Sequence, residues 1–162
     1  MGRRLVMKES DSPTLYVVAV VVAVAVSWLI SSNLRRGARD APTETEWQGV
    51  KTDIASLGVV LAHVSEHRSP VTIRISGKFA TAEPKDVAVA GIVRKFSNVG
   101  WKDYEPLHRA HGRVISRICR DGIVGSISAQ SGNGGLNDVF IHVKWSAGSQ
   151  RSLPQHCVKV KR

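Results

Sequence analysis

The segment from Ser12 to Leu34 contains no charged residue and consists mostly of Val, Ala, Leu and Ile. Asp11 bounds this run on one side and Arg35 bounds it on the other. A helix needs about 20 largely apolar residues to cross the hydrocarbon core of a bilayer, where every peptide group must be hydrogen-bonded within the protein. The sequence therefore predicts a transmembrane helix over 13–34 and a single-pass membrane protein with a basic tail over 1–12.

Two other interpretations of this run stay open. A cleaved signal peptide would use Arg3, Arg4 and Lys8 as its basic front, although the run is long and Trp28–Ser32 makes a poor cleavage site. A buried core helix would need a larger partner domain than the rest of the chain provides. The signal-anchor layout favours a soluble part on the non-cytoplasmic side of the membrane, whereas Arg35-Arg36 favours the reverse orientation.

The part of the chain that follows the apolar run is small and basic. The protein has 162 residues and a formal net charge of +10. After a linker over 35–42, about 120 residues remain, which is enough for one ordinary domain or two very small ones. A basic domain held at a membrane has two obvious partners, the lipid headgroups of the bilayer and nucleic acid. Cys119 and Cys157 are too few for a disulfide scaffold, and they either pair in an exported domain or remain buried thiols.

The pattern over 43–108 predicts a small α/β region in the order helix, strand, helix, strand. Thr43 and Glu46 have the spacing of a capping box, and apolar residues follow at heptad intervals, which predicts a helix over 43–66. This helix either forms a coiled coil that makes a homo-oligomer or packs in the core, and its wide apolar face favours the core. Alternation over 71–79 predicts a half-buried strand, Pro84 opens a second helix, and 99–104 forms a short strand.

The pattern over 109–162 is typical of β-structure. Arg120-Asp121-Gly122 lies between two apolar runs and is a strong hairpin signal. Residues 138–145 alternate apolar and polar side chains, as expected of a strand with one buried face. The region as a whole predicts five short strands, the last of which carries Val158 and Val160.

Two stretches of this region resemble SH3-like modules of the Tudor and KOW type. The first consists of Gly112–Val114 followed by Gly122–Gly125 and resembles the opening strands. The second is Leu153–Val160, where a proline enters a one-turn helix before a final strand. The resemblance covers about the last third of the chain and implies a five-stranded SH3-like β-barrel over 109–162, a fold that hosts many functions. Cys157 stands where eukaryotic SH3 domains carry a Tyr. The predicted fold class is therefore α+β: a transmembrane helix, a small α/β layer and a C-terminal barrel.

One short motif suggests metal chemistry. His63-Val64-Ser65-Glu66-His67 matches the H-x-x-E-H pattern of a class of zinc proteases, and on a helix its two histidines would share a face. The pattern is short enough to arise by chance, and no downstream helix supplies a further ligand. His63, Glu66 and His67 are therefore weak metal candidates, and the sequence predicts no catalytic residue, no enzyme activity and no cofactor.

Basic and aromatic side chains of the predicted barrel form the candidate binding surface for a partner or for nucleic acid. They are Arg113, Arg117, Arg120, Phe140, His142, Lys144, Lys159 and Lys161. The sequence favours a membrane-anchored, non-enzymatic adaptor that binds a protein or other macromolecular partner. One alternative is a membrane-tethered protein that binds nucleic acid through the basic barrel face. Another is an exported envelope or cell-wall-binding protein, which a Cys119–Cys157 disulfide would support.

Overall fold

The computed structural model describes residues 21–28, 41–148 and 152–159, and its first helix, α1, covers 21–28. No helix within these residues is both long and apolar enough to cross a bilayer. The prediction of a single-pass, signal-anchored membrane protein with a spanning helix over 13–34 is corrected by this finding, and so is the membrane localisation. The predicted tail 1–12, residues 13–20 and 29–34 of the predicted span, and most of the linker 35–42 lie outside the described residues.

The remaining elements belong to one unit, Arg36–Arg162. A single antiparallel sheet of six strands runs through its described residues in the order β1-β2-β6-β5-β4-β3. The strands are β1 (Ala62–Ser69), β2 (Thr72–Thr81), β3 (Lys102–Ala110), β4 (Arg113–Arg120), β5 (Ile123–Ser131) and β6 (Asn137–Ser146). Two helices accompany the sheet, α2 (Glu44–Ala55) and α3 (Lys85–Asn98), together with the short 3-10 helices Asn133–Gly135 and Gln155–Cys157.

The sheet overturns the predicted fold class. Strand β2 from the predicted α/β region pairs along its whole length with β6 from the predicted barrel, from Thr72 opposite Ser146 to Thr81 opposite Asn137. Strand β3 likewise pairs with β4 across the expected boundary at residue 109. One continuous sheet therefore replaces the separate layer and the SH3-like barrel. A one-turn helix does follow Pro154, but Val158 after it is not in a strand.

Local signals located the starts of both helices correctly. The Thr43 side chain accepts a hydrogen bond from the backbone N–H of Glu46, whose carboxylate accepts one from the backbone N–H of Thr43, so the capping box is confirmed. Helix α3 begins directly after Pro84, as predicted. The helix over 43–66 is wrong beyond Ala55, because Gly58 has a φ of 67° and the chain then enters β1. A coiled coil over 43–66 therefore has no continuous helix to form it.

The core lies between the two helices and one face of the sheet. Helix α3 packs on β3, β4, β5 and β6, and the fully buried side chains include Trp47 of α2 and Phe96 of α3. Alternate residues of β6, such as Val139, Ile141 and Val143, point into this core. Since successive strand residues point to opposite faces, the residues between them lie on the other side of the sheet.

Candidate functional site

The sheet face that points away from the helices carries polar and basic side chains on its central strands. We call it the polar face and define it by Arg74, Ser76 and Lys78 of β2, Phe140, His142 and Lys144 of β6, Val124, Ser126 and Ser128 of β5, and Arg117 of β4. The register places His142 between Ser76 and Ser126. The next row along the strands places Lys144 between Arg74 and Val124. Neighbouring strands lie about 4.8 Å apart, so each row forms a contiguous strip across the sheet.

A cleft of about 370 Å³ opens on this face. It is lined by Tyr104, Arg117, Val124, Ser126, His142, Lys144, Ser152 and Leu153. Four adjacent strands and the segment after residue 151 contribute to the wall, and no carboxylate of the residues that the structure describes lines it. This size is at the lower end of the range typical of small-ligand sites, which span about 300–1,000 Å³.

His142 is the least satisfied group in the cleft. Its side chain is half-buried, and its Nε2 atom is buried with no hydrogen-bond partner among the described residues. Burial lowers the pKa of His142 below its usual value, because a charged imidazole loses solvation there, and the positive charges of Lys144 and Arg74 lower it further. A neutral imidazole at pH 7 offers one N–H donor and one acceptor nitrogen. Buried polar atoms are nearly always hydrogen-bonded to protein or to ordered water, so the Nε2 atom is available to a further partner in the cleft.

The cations around His142 differ in how firmly they are paired. The Nη1 atom of Arg117 lies 2.6 Å from the Oε2 atom of Glu105, on the neighbouring strand β3. Arg74, Lys78 and Lys144 form no ion pair within the described part of the chain. The centre of the polar face therefore carries uncompensated positive charge, which favours an anionic ligand.

The structure divides the basic residues predicted from the sequence into two groups. Arg117, His142 and Lys144 line the cleft, and Phe140 lies on the same face. Arg120 instead pairs with Asp53 of α2, with an Nη2–Oδ2 distance of 2.6 Å, and its guanidinium lies 5.0 Å from the centre of the Trp101 ring. It joins β4 to the helix layer and is structural.

Lys159 and Arg113 also lie away from the cleft. The Nζ atom of Lys159 lies 2.7 Å from the Oε1 atom of Glu46 and lowers the pKa of that carboxyl group by hydrogen bonding. Arg113 lines a separate cleft beside the start of α3. Lys161 lies outside the described residues.

Sequence reasoning missed two cations of the polar face. Arg74 and Lys78 both lie on β2, directly opposite Lys144 and Phe140 of β6. The sequence feature that could have identified Arg74 was the alternation over 71–79, which places Arg74 among the polar side chains of the predicted strand. The pairing of β2 with β6 carries no local signature, so nothing connected these two residues with the basic candidates further along the chain.

The H-x-x-E-H motif lies on an edge strand. Strand β1 holds all three residues, and a register shift between Ala62 and Ser65 together with the positive φ of His63 (53°) interrupts its pairing. Glu66 accepts hydrogen bonds from Arg68 and Trp47, each at 2.8 Å, and these lower its pKa, with Arg68 the larger cause. The helix that would place His63 and His67 on one face is absent, and the Glu66 carboxylate is already occupied.

A disulfide bond joins Cys119 at the end of β4 to Cys157, with a Cα–Cα distance of 5.3 Å. Both cysteines are fully buried, and the backbone N–H of Gly122 donates to the carbonyl oxygen of Cys157 at 2.6 Å. The bond holds the segment 152–159 against the sheet, and Ser152 and Leu153 of this segment line the cleft. Cys119 and Cys157 are therefore bonded to each other in this structure and are not the unpaired buried thiols of the alternative prediction.

No protein-family model, curated protein or solved structure matches this chain.

Proposed function

We propose that the domain is a non-enzymatic binding module that takes up a polyanion, a single-stranded nucleic acid, along its polar face. The observation that carries this proposal is the grouping of His142, Arg117 and Lys144 in one cleft that no carboxylate of the described residues lines, with the buried Nε2 atom of His142 unpartnered among those residues. In the tautomer that carries the proton on Nε2, His142 would donate to a phosphate oxygen, and the phosphate would interact favourably with both cations.

The direction of β6 suits an extended ligand. Phe140, His142 and Lys144 follow one another on the same face, about 6.6 Å apart at 3.3 Å per residue. A chain of phosphates and bases along this strand would meet an aromatic ring, an imidazole and an ammonium group in turn. Aromatic rings stack on any base, and cations track the backbone, so such a surface binds single strands without sequence preference.

Binding of a fluorescently labelled single-stranded oligonucleotide to the full chain, followed by fluorescence anisotropy over a range of salt concentrations, tests the proposal. Affinity is expected to fall steeply as salt rises, because cation–phosphate contacts release counterions. Lys144→Ala should weaken binding and reduce the slope of log K against log[salt] by about 0.7, the share of one phosphate contact on a single strand.

Arg94→Ala is the matched control for this experiment. Arg94 is an exposed cation of α3, in the layer on the other side of the sheet, so its removal subtracts one charge without touching the polar face. The proposal fails if the full chain does not bind the oligonucleotide at low salt, or if the two variants have the same effect on the slope.

The disulfide favours a second candidate, an exported protein whose polar face binds an anionic cell-wall polymer. Disulfides form and persist in oxidising compartments and are rare in the cytosol of most organisms. Competition between the labelled oligonucleotide and isolated wall polymer separates the two ligands. Displacement by wall polymer at a lower concentration than by unlabelled oligonucleotide would favour the exported protein, and the reverse order would favour nucleic acid.

A further inference from the structure

Two cysteines and a histidine, which are side chains that commonly bind metals, lie close together at the end of β4. The Sγ atoms of Cys119 and Cys157 and an imidazole nitrogen of His156 all lie within 4.8 Å of one another. The two sulfurs are fully buried, whereas His156 is exposed at the edge of the group. Thiolate and imidazole are the donors that zinc prefers, and zinc sites built from cysteine and histidine hold their ligands at about 2.0–2.3 Å from the metal.

The hydrogen bond of His156 occupies one ring nitrogen and leaves the other free to bind a metal. Its Nε2 atom lies 3.1 Å from the backbone carbonyl oxygen of Asp103 on β3. A carbonyl oxygen only accepts hydrogen bonds, so Nε2 carries the proton and the neutral ring has its lone pair on Nδ1. Histidine ligands of metals nearly always donate their second nitrogen to a carbonyl or carboxylate in this way.

We propose that Cys119, His156 and Cys157 form a zinc site when the disulfide is reduced. The same three residues then hold the C-terminal segment against β4 in two redox states, by a covalent bond under oxidising conditions and by a metal ion under reducing conditions. Water supplies the fourth ligand of the tetrahedral ion. The inference does not rest on the ligand proposed for the polar face.

Zinc can bind only after a reductant, a phosphine or a dithiol, has reduced the Cys119–Cys157 disulfide. A phosphine takes an oxygen atom from water and becomes a phosphine oxide, while the Cys119–Cys157 bond gains two electrons and the two protons of that water to give two thiols. A dithiol achieves the same reduction by closing its own disulfide. Zn²⁺ then displaces both thiol protons, because the thiolate is the form that binds the metal.

The test uses the full chain and Co²⁺, which takes the place of zinc and absorbs visible light. The protein is reduced with a phosphine in the absence of air, freed of excess reductant and titrated with Co²⁺. We expect thiolate-to-cobalt charge-transfer bands and the intense visible bands of tetrahedral Co²⁺, which Zn²⁺ then abolishes by displacement. The oxidised protein should show neither set of bands.

His156→Gln is the decisive variant, because it removes one ligand at an exposed position and keeps both thiols. It should weaken Co²⁺ and Zn²⁺ binding by about tenfold or more, since loss of even an outer-shell partner of a metal ligand has an effect of that size. His111→Gln, at an exposed histidine in the turn between β3 and β4, is the matched control and should leave the affinity unchanged. The absence of charge-transfer bands in the reduced protein overturns the proposal, and so does equal affinity of His156→Gln and the unmodified chain.

Discussion

Reduction of the Cys119–Cys157 disulfide perturbs this fold without changing its sequence. The bond closes a loop with a sequence separation of 38 residues. Cross-linking stabilises a protein mainly by restricting the unfolded chain, and the chain-entropy relation gives about 4 kcal/mol at 25 °C for a loop of this length.

Urea unfolding followed by tryptophan fluorescence measures this loss. With an m value of about 1.5 kcal/mol/M, the midpoint of the reduced protein should fall by roughly 2–3 M urea relative to the oxidised protein. A chelator is present in both samples so that no metal replaces the bond. The m value should also rise, because the reduced unfolded chain exposes more surface.

The double variant Cys119→Ala/Cys157→Ala is the control, since a phosphine should leave its unfolding midpoint unchanged. A shift of less than about 0.5 M urea on reduction of the unmodified chain would refute the reasoning. It would mean that the segment 152–159 stays in place by its other contacts, or that the unfolded chain is already restricted.

Two further predictions concern the polar face and the core. The pKa of His142 is lowered in the folded protein, so below about pH 6.5 the unfolded chain binds more protons than the folded protein does. The free energy of unfolding should therefore decrease from pH 7 to pH 5. Urea melts at both pH values test this, and His142→Gln should show a smaller decrease; an equal decrease would assign it to other groups. Gly125→Ala places a methyl group 2.7 Å from Cγ1 of the buried Ile118 and should destabilise the fold by about 1–3 kcal/mol. Gly91→Ala, on an exposed face of α3 with nothing within 4 Å, should stabilise it by up to about 1 kcal/mol in the same assay, and equal effects of the two substitutions would contradict the packing argument.

Local chemistry made several elements predictable from the sequence. The capping box at Thr43, the proline before α3 and the Asp121-Gly122 hairpin each specify backbone geometry over a few residues. At the hairpin both turn residues have positive φ values, 50° and 81°, as a two-residue loop between antiparallel strands requires. Such signals depend on neighbours in the sequence and are independent of the rest of the fold.

The arrangement of these elements was not predictable, because it depends on pairs far apart in the chain. The hairpin of β4 and β5 fits an SH3-like barrel and a wide antiparallel sheet equally well, and only the pairing of β2 with β6 separates the two. The predicted continuation of α2 through 56–66 was wrong for a related reason. Its apolar spacing is compatible with a helix, but the pairing of β1 with β2 and the turn at Gly58 override it.

Only part of the candidate site was predictable from the sequence. Alternation along β6 identified His142 and Lys144 as neighbours on a polar face, and both line the cleft. Arg120 and Lys159 carry the same charge in the sequence, but their partners Asp53 and Glu46 lie on α2, far earlier in the chain. A basic residue engaged in a distant ion pair cannot be distinguished by sequence from one available to a ligand.

The pairing of β2 with β6 also determines when this protein is able to fold during its synthesis. At about 5–20 residues per second, a ribosome needs roughly 3–13 s to proceed from the end of β2 at Thr81 to the end of β6 at Ser146. Throughout that interval β2 lacks its second neighbour, and Ile75, Val89 and Phe96 have no complete core to enter. A nascent chain stalled before Asn137 therefore exposes an apolar surface and an unpaired strand edge, the features by which chaperones recognise unfinished proteins and by which such chains aggregate.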